Sequence, residues 1–123
     1  MEIRKLYING EWVDSSQDEW IEIENPATHE IIAKVPRGNK DDVDRAVKAA
    51  RAAFETWQYT PLEERVELMK KVVAGLEERR QELIETITKE LGSPYKVSAE
   101  VHTDPFILEA KHYIKTASEF LYE

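Results

Sequence analysis

A change of hydrophobic period at Asn39 constrains this chain more than any other feature. Before it, short apolar runs are punctuated by turn residues. After it, apolar side chains recur every three to four residues, the spacing of one helix face. A chain built this way makes a β arm first and a helical layer second, an α+β arrangement. The division predicted from sequence is therefore residues 1–38, a β-hairpin and ribbon arm, and residues 39–123, a helical segment of three to four amphipathic helices.

Within the arm, residues 5–8 and 11–13 flank Asn9 and Gly10, the pair that best tolerates the positive φ angles of a two-residue hairpin turn. Residues 15–18, Ser-Ser-Gln-Asp, form a polar loop. Trp20, Ile21, Glu22, Ile23 and Glu24 then alternate apolar and acidic side chains, as a strand with one wet face does, until Asn25 and Pro26 stop it. Residues 31–35 are a second apolar run closed by Pro36 and Gly38, so the two runs pair antiparallel around a turn at 26–30.

In the helical segment, Val43, Ala46, Val47, Ala50, Phe54 and Trp57 share a helical stripe, with Asn39 or a neighbour as cap and Asp41 and Asp42 at the positive end of the helix dipole. Thr60, Pro61 and Glu63 have the spacing of a hydroxyl cap, a first-turn proline and a capping box. Leu62, Val66, Met69, Val73 and Leu76 follow as an apolar stripe, continued by Leu83, Ile84, Ile87 and Leu91 until Gly92 and Pro94 end it. Gly75 interrupts this run and marks a bend or a close contact, which leaves one helix or two open over 61–91. Asp104 and Pro105 read as cap and first-turn pair of a last helix carrying Phe106, Ile107, Ala110, Ile114, Ala117 and Leu121. That pattern is unbroken at Glu123, as in a cut through a longer chain.

Composition narrows the function classes. Of the 123 residues, 41% are hydrophobic and 34% charged, which fits a folded, water-facing chain and a cytoplasmic location. A net charge of −8 without a basic stripe repels phosphate backbones and anionic lipid, so neither nucleic acid nor membrane is an expected partner. There is no cysteine, hence no disulfide, thiolate metal site or cysteine nucleophile. Glu109 and His112 have the Glu-x-x-His spacing of di-iron bundles, yet the second copy such sites need is absent. His102 and His112 would not share a helix face. The acidic runs at 63–64 and 77–82 read as a solvated, salt-bridged surface, because sequence neighbours diverge on a helix. Trp57 reads as core, and Trp12 and Trp20 as a packed ribbon face. No glycine-rich phosphate loop and no nucleophile elbow occur.

One set of residues points to a family. Residues 8–13 (Ile-Asn-Gly-Glu-Trp-Val), 25–28 (Asn-Pro-Ala-Thr), Val35-Pro36, 42–47 (Asp-Val-Asp-Arg-Ala-Val), 49–54 with Trp57, Glu64-Arg65 and 90–94 (Glu-Leu-Gly-Ser-Pro) resemble, in order and spacing, the opening of the aldehyde dehydrogenase superfamily. The resemblance implies the amino-terminal part of an α/β cofactor-binding domain, from an enzyme that oxidises aldehydes to carboxylic acids with NAD or NADP. In that family a cysteine thiolate attacks the aldehyde, an asparagine and a backbone amide hold the oxyanion, hydride passes to nicotinamide, and a glutamate activates water. All of these lie downstream of the matched region, so no catalytic or cofactor-binding residue is carried over and the chain is expected to be silent alone. Its implied partners are the remainder of an aldehyde dehydrogenase chain and further copies of itself. Some members hold a monovalent cation with carbonyls before the Asn-Pro pair and an acidic residue before the helix-ending glycine, which here are Ile23, Glu24 and Glu90. Pro105 departs from the family, where this stretch is commonly continuous helix. The alternative reading is a stand-alone acidic helical module for protein interaction or oligomerisation.

Overall fold

The computed structural model describes residues 2–120. The chain forms two compact units, Met1–Tyr59 and Thr60–Glu123. Contacts thus group the first long helix with the β arm, whereas the division at residues 38 and 39 follows the type of secondary structure.

In the first unit, β2 (Leu6–Ile8) and β3 (Glu11–Val13) form the two-stranded hairpin, with Leu6 opposite Val13 and Ile8 opposite Glu11. Asn9 and Gly10 both take positive φ, 56° and 82°, as the tight turn requires. A separate sheet has the order β1–β5–β4, from β1 (Glu2–Ile3), β5 (Glu30–Pro36) and β4 (Trp20–Asn25). The β4–β5 pair is antiparallel and β1 joins β5 in parallel. Pairing shifts register between Ile23 and Glu24, which face Ala33 and Ile31, so Ile32 is the extra residue of a bulge. The turn before β5 is held by the Asn25 carboxamide accepting from Ala27 N–H at 2.9 Å, with His29 at φ 60°.

Helix α1 (Lys40–Trp57) starts at Asn39, whose side chain accepts from the Asp41 and Asp42 N–H groups while the Asp42 carboxylate accepts from Asn39 N–H. That is a reciprocal capping box. Its apolar stripe corrects the sequence reading. Val43, Val47, Phe54 and Trp57 are 58, 60, 45 and 46% exposed, and the one buried residue of the helix is Asp42. Strand β2 packs against α1, and a hairpin of three-residue strands is too narrow to cover the stripe as well. Trp12 and Trp20 are also exposed; Trp12 packs against Tyr7, its partner across the hairpin, with ring centroids 5.0 Å apart.

The second unit is helical. The run over 61–91 resolves into α2 (Leu62–Glu78) and α3 (Arg80–Leu91), broken at Arg79, whose φ of −98° and ψ of 15° leave the helical well. The break falls four residues beyond Gly75, which stays inside α2. Thr60 does not cap α2. Pro61 is extended at ψ 151°, which puts the helix start at Leu62, and no side chain caps it. Gly92 ends α3 at φ 66°, the left-handed value that glycine adopts without a Cβ penalty. After Gly92, α4 (Tyr95–Val97) runs through a π-helical turn (Ser98–Thr103) into α5 (Asp104–Glu119). Asp104 is therefore already helical, at φ −64° and ψ −43°, and is not a cap. Leu121 and the expected run to Glu123 lie outside the described residues. The apolar core is Val66 and Val73 of α2, Ile84 of α3, Ala99 of the π turn and Ile107 of α5, with α2 and α5 as the main packing pair.

Candidate functional site

Among the described residues of the first unit, the charged side chain that is buried is Asp42. The Asp42 side chain, 3% exposed, accepts from the Ser15 hydroxyl at 2.5 Å, Ser16 N–H at 3.0 Å, Asn39 N–H at 3.1 Å and Arg45 Nη2 at 2.6 Å. The capping position puts the carboxylate at the helix N-terminus, and the polar loop folds back to donate to it. These bonds, Ser15 first, hold the carboxyl well below the usual carboxylate range, although burial pulls the other way. Such a group is a structural anchor, since it neither gives nor takes a proton near neutrality. A cap at Asn39 or a neighbour was legible in the sequence; the returning bond to the Asp42 carboxylate was not. The role of Ser15 and Ser16, more than twenty residues upstream, was not.

A second polar centre sits in the helical unit. Ser98 is fully buried; its hydroxyl accepts from Thr88 at 2.9 Å and lies 2.6 Å from the Ser93 hydroxyl. Thr103 donates at 2.8 Å to the Ser98 carbonyl, five residues back, bridging the wide turn. Immediately after, Arg80 grips Asp104 with two bonds of 2.6 and 2.8 Å. The pair moves both groups in the expected directions, the Asp104 carboxyl down and the Arg80 guanidinium up, each chiefly through that hydrogen bond. Lys111 meets Glu77 at 2.5 Å, tying α5 to α2. The acidic run at 77–82 is thus a salt-bridged surface.

Of the residues assigned to cation binding, Ile23 and Glu24 flank the bulge in the first unit, and the Glu24 carboxylate lies 2.5 Å from His29 Nδ1. Glu90 is an exposed residue of α3 in the second unit. Glu109 and His112 are exposed on α5, and His102 belongs to the π turn. Among the described residues no group of three or more His, Cys, Asp or Glu gathers where it could hold a metal, and no helix is long and apolar enough to cross a membrane. The glycines are scattered, in a hairpin turn (Gly10), the loop before α1 (Gly38), a helix interior (Gly75) and a helix end (Gly92). What remains is surface: the uncovered stripe of α1, and a groove of about 420 Å³ between hairpin and α1, lined by Ile8, Asn9, Val13, Arg45, Lys48 and Ala52 among others.

The family model described as "Aldehyde dehydrogenase family" matches residues 12–123. A Staphylococcus aureus protein assigned as an aldehyde dehydrogenase is 49% identical over 98 residues, 80% of this chain and 21% of that protein. The crystal structure of an aldehyde dehydrogenase from Bartonella henselae superposes at a TM-score of 0.96 with 32% identity, over 99% of this chain and 26% of that one. A Mycobacterium tuberculosis aldehyde dehydrogenase complexed with NAD+ follows at 0.93 and 32%, over 98% and 26%. This chain spans about a fifth of the curated relative and about a quarter of each of these structures.

Proposed function

Because this chain belongs to the aldehyde dehydrogenase family, as an amino-terminal portion of its fold, we propose that it is the scaffold segment of an NAD(P)-dependent aldehyde dehydrogenase. Aldehyde oxidation then requires the rest of the family's chain. One observation carries the reading: α1 turns Val43, Val47, Phe54 and Trp57 outward in a chain that matches a quarter of its structural relatives. A stripe of that size on a folded helix is a surface made to be covered. On this reading the further three quarters of the family's fold are the occupant, a reading supported by the share of the relatives that this chain spans. Cofactor chemistry belongs to that remainder, because no cysteine and no phosphate-binding glycine turn is present here, and the residues of this chain do not fit a dinucleotide. Its own contribution is positional, through the Asp42 anchor of the arm and the packed α2–α5 pair. The same reading assigns Ile23, Glu24 and Glu90 to a monovalent cation in the complete enzyme, a role the resemblance suggests.

The test is NAD+ reduction with an aldehyde present, by the purified chain alone and by the chain mixed with a family member that lacks its matching first quarter. Silence alone and recovered turnover in the mixture are expected. Turnover by the chain alone would overturn the proposal. The same uncovered stripe also favours self-association, and sedimentation at increasing concentration separates the two readings, since a monomer throughout removes the second.

A further inference from the structure

We propose that Asn9 is a site of spontaneous covalent modification, the deamidation of its carboxamide to aspartate and isoaspartate. Three asparagines occur in the chain, and their surroundings differ in ways the chemistry can read. The reaction needs the backbone nitrogen of the following residue to attack the asparagine Cγ. That nitrogen forms the fifth ring bond and loses its proton, ammonia departs with the side-chain nitrogen, and a succinimide results. Water then opens the ring at one of its two carbonyls, leaving aspartate or an isoaspartate whose backbone runs through the former side chain. The net change consumes one water and releases one ammonia, with no oxidant or reductant.

Asn25 is excluded covalently, because Pro26 follows it and its nitrogen carries no proton to lose. Its carboxamide is also occupied, accepting from Ala27 N–H at 2.9 Å. Asn39 is excluded by its cap. Its side-chain oxygen accepts from Asp41 N–H at 2.9 Å, Asp42 N–H at 3.1 Å and the Ser16 hydroxyl at 3.0 Å, and the next residue is already in α1. Asn9 has neither protection. It is exposed, its carboxamide has no hydrogen-bond partner among the described residues, and Gly10 follows it. A Cβ placed on Gly10 would meet nothing within 4 Å, so the side of Gly10 where a side chain would stand is open.

The obstacle is the turn itself. At φ 56° Asn9 is left-handed, and its ψ must rotate before the Gly10 nitrogen can face Cγ. The hairpin that holds it has three residues per strand and belongs to no larger sheet, a unit of marginal stability whose tip frays readily. Opening of the hairpin is therefore the gate. The two products then diverge. Aspartate tolerates the left-handed turn as asparagine does and adds one negative charge to the rim of the groove that Arg45 and Lys48 line. Isoaspartate lengthens the backbone at the turn and breaks the pairing of Ile8 with Glu11.

The experiment is peptide mapping of the intact folded chain after prolonged incubation at mildly alkaline pH, with isoaspartyl methylation as a second readout. A gain of about one dalton confined to the peptide containing Asn9, together with methyl acceptance there, is expected. Asn9→Gln, whose longer side chain disfavours ring closure, should abolish both signals, and Asn9→Asp should carry the charge from the start, gain no mass and accept methyl groups far more slowly, because an ionised carboxylate is a poor target for the Gly10 nitrogen. No gain at Asn9, an equal gain at Asn39, or a gain only in denaturant would each overturn the proposal.

Discussion

The two units are stabilised by opposite means. The helical unit buries apolar side chains from four elements around a fully buried Ile84, and the polar groups it buries, Ser98 and Thr103, are hydrogen-bonded. Among its described residues the β-arm unit buries almost no large apolar side chain, and the best-shielded charged group there is the Asp42 carboxylate. The difference shows what each unit needs. A helical cluster that closes on itself has its driving force inside, through removal of apolar surface from water. An arm whose helix points its apolar stripe outward relies on a polar network to fix local geometry and leaves hydrophobic burial to whatever covers it.

The largest expected effect lies in the helical core. Ile84→Ala removes a fully buried side chain and should destabilise by about 2–5 kcal/mol. All three tryptophans lie in the first unit, so fluorescence reports on that unit while far-UV dichroism is dominated by helices. The contrast is broken if Ile84→Ala moves both urea midpoints equally. Next comes Asp42→Ala, which strands the donors of Ser15, Ser16 and Arg45; it should lower the fluorescence midpoint well before the dichroism midpoint. An unchanged fluorescence midpoint would show that the anchor is dispensable.

Acid sharpens the comparison. The folded Asp42 carboxyl ionises below its unfolded value, so its contribution is fully present above about pH 4 and is lost as pH falls towards the folded value. Asp104 behaves in the same direction in the other unit. Stability measured by fluorescence from pH 6 downward, on the order of the range where carboxylates titrate, should fall below pH 4 in the wild type and flatten in Asp42→Asn. A matching acid loss in that variant would remove Asp42 as the cause. Asn39→Ala deletes the side-chain cap of α1 together with the exposed bond from the Ser16 hydroxyl, and should cost about 1 kcal/mol by denaturant titration. The smallest effect is expected for Val47→Ala, exposed on α1, within about 0.5 kcal/mol in this chain. A larger loss in the complete enzyme would identify this face as covered there.

Legibility followed range. The Asn9-Gly10 turn, the α1 cap and the Gly92 stop depend on residues at most a few positions apart, and each appears where the spacing placed it. The break at Arg79 and the extended Pro61 are local too, yet both turn on backbone angles that several residue types adopt. The Ser15–Asp42 bond and the Arg80–Asp104 pair join residues 27 and 24 positions apart, which no period or motif encodes. Trp57 shows the limit most plainly. Its spacing marks an apolar helical face, and spacing cannot say whether anything covers that face.

From sequence alone, this protein's order of arm and helices, its turn chemistry and its family were determined, because all three are written in side-chain types at short, fixed separations. Only the tertiary structure decided which apolar stripe became core, which carboxylate became the anchor, and that a π turn carries the chain into α5. Those outcomes depend on which surfaces meet, and burial is a property of pairs of surfaces.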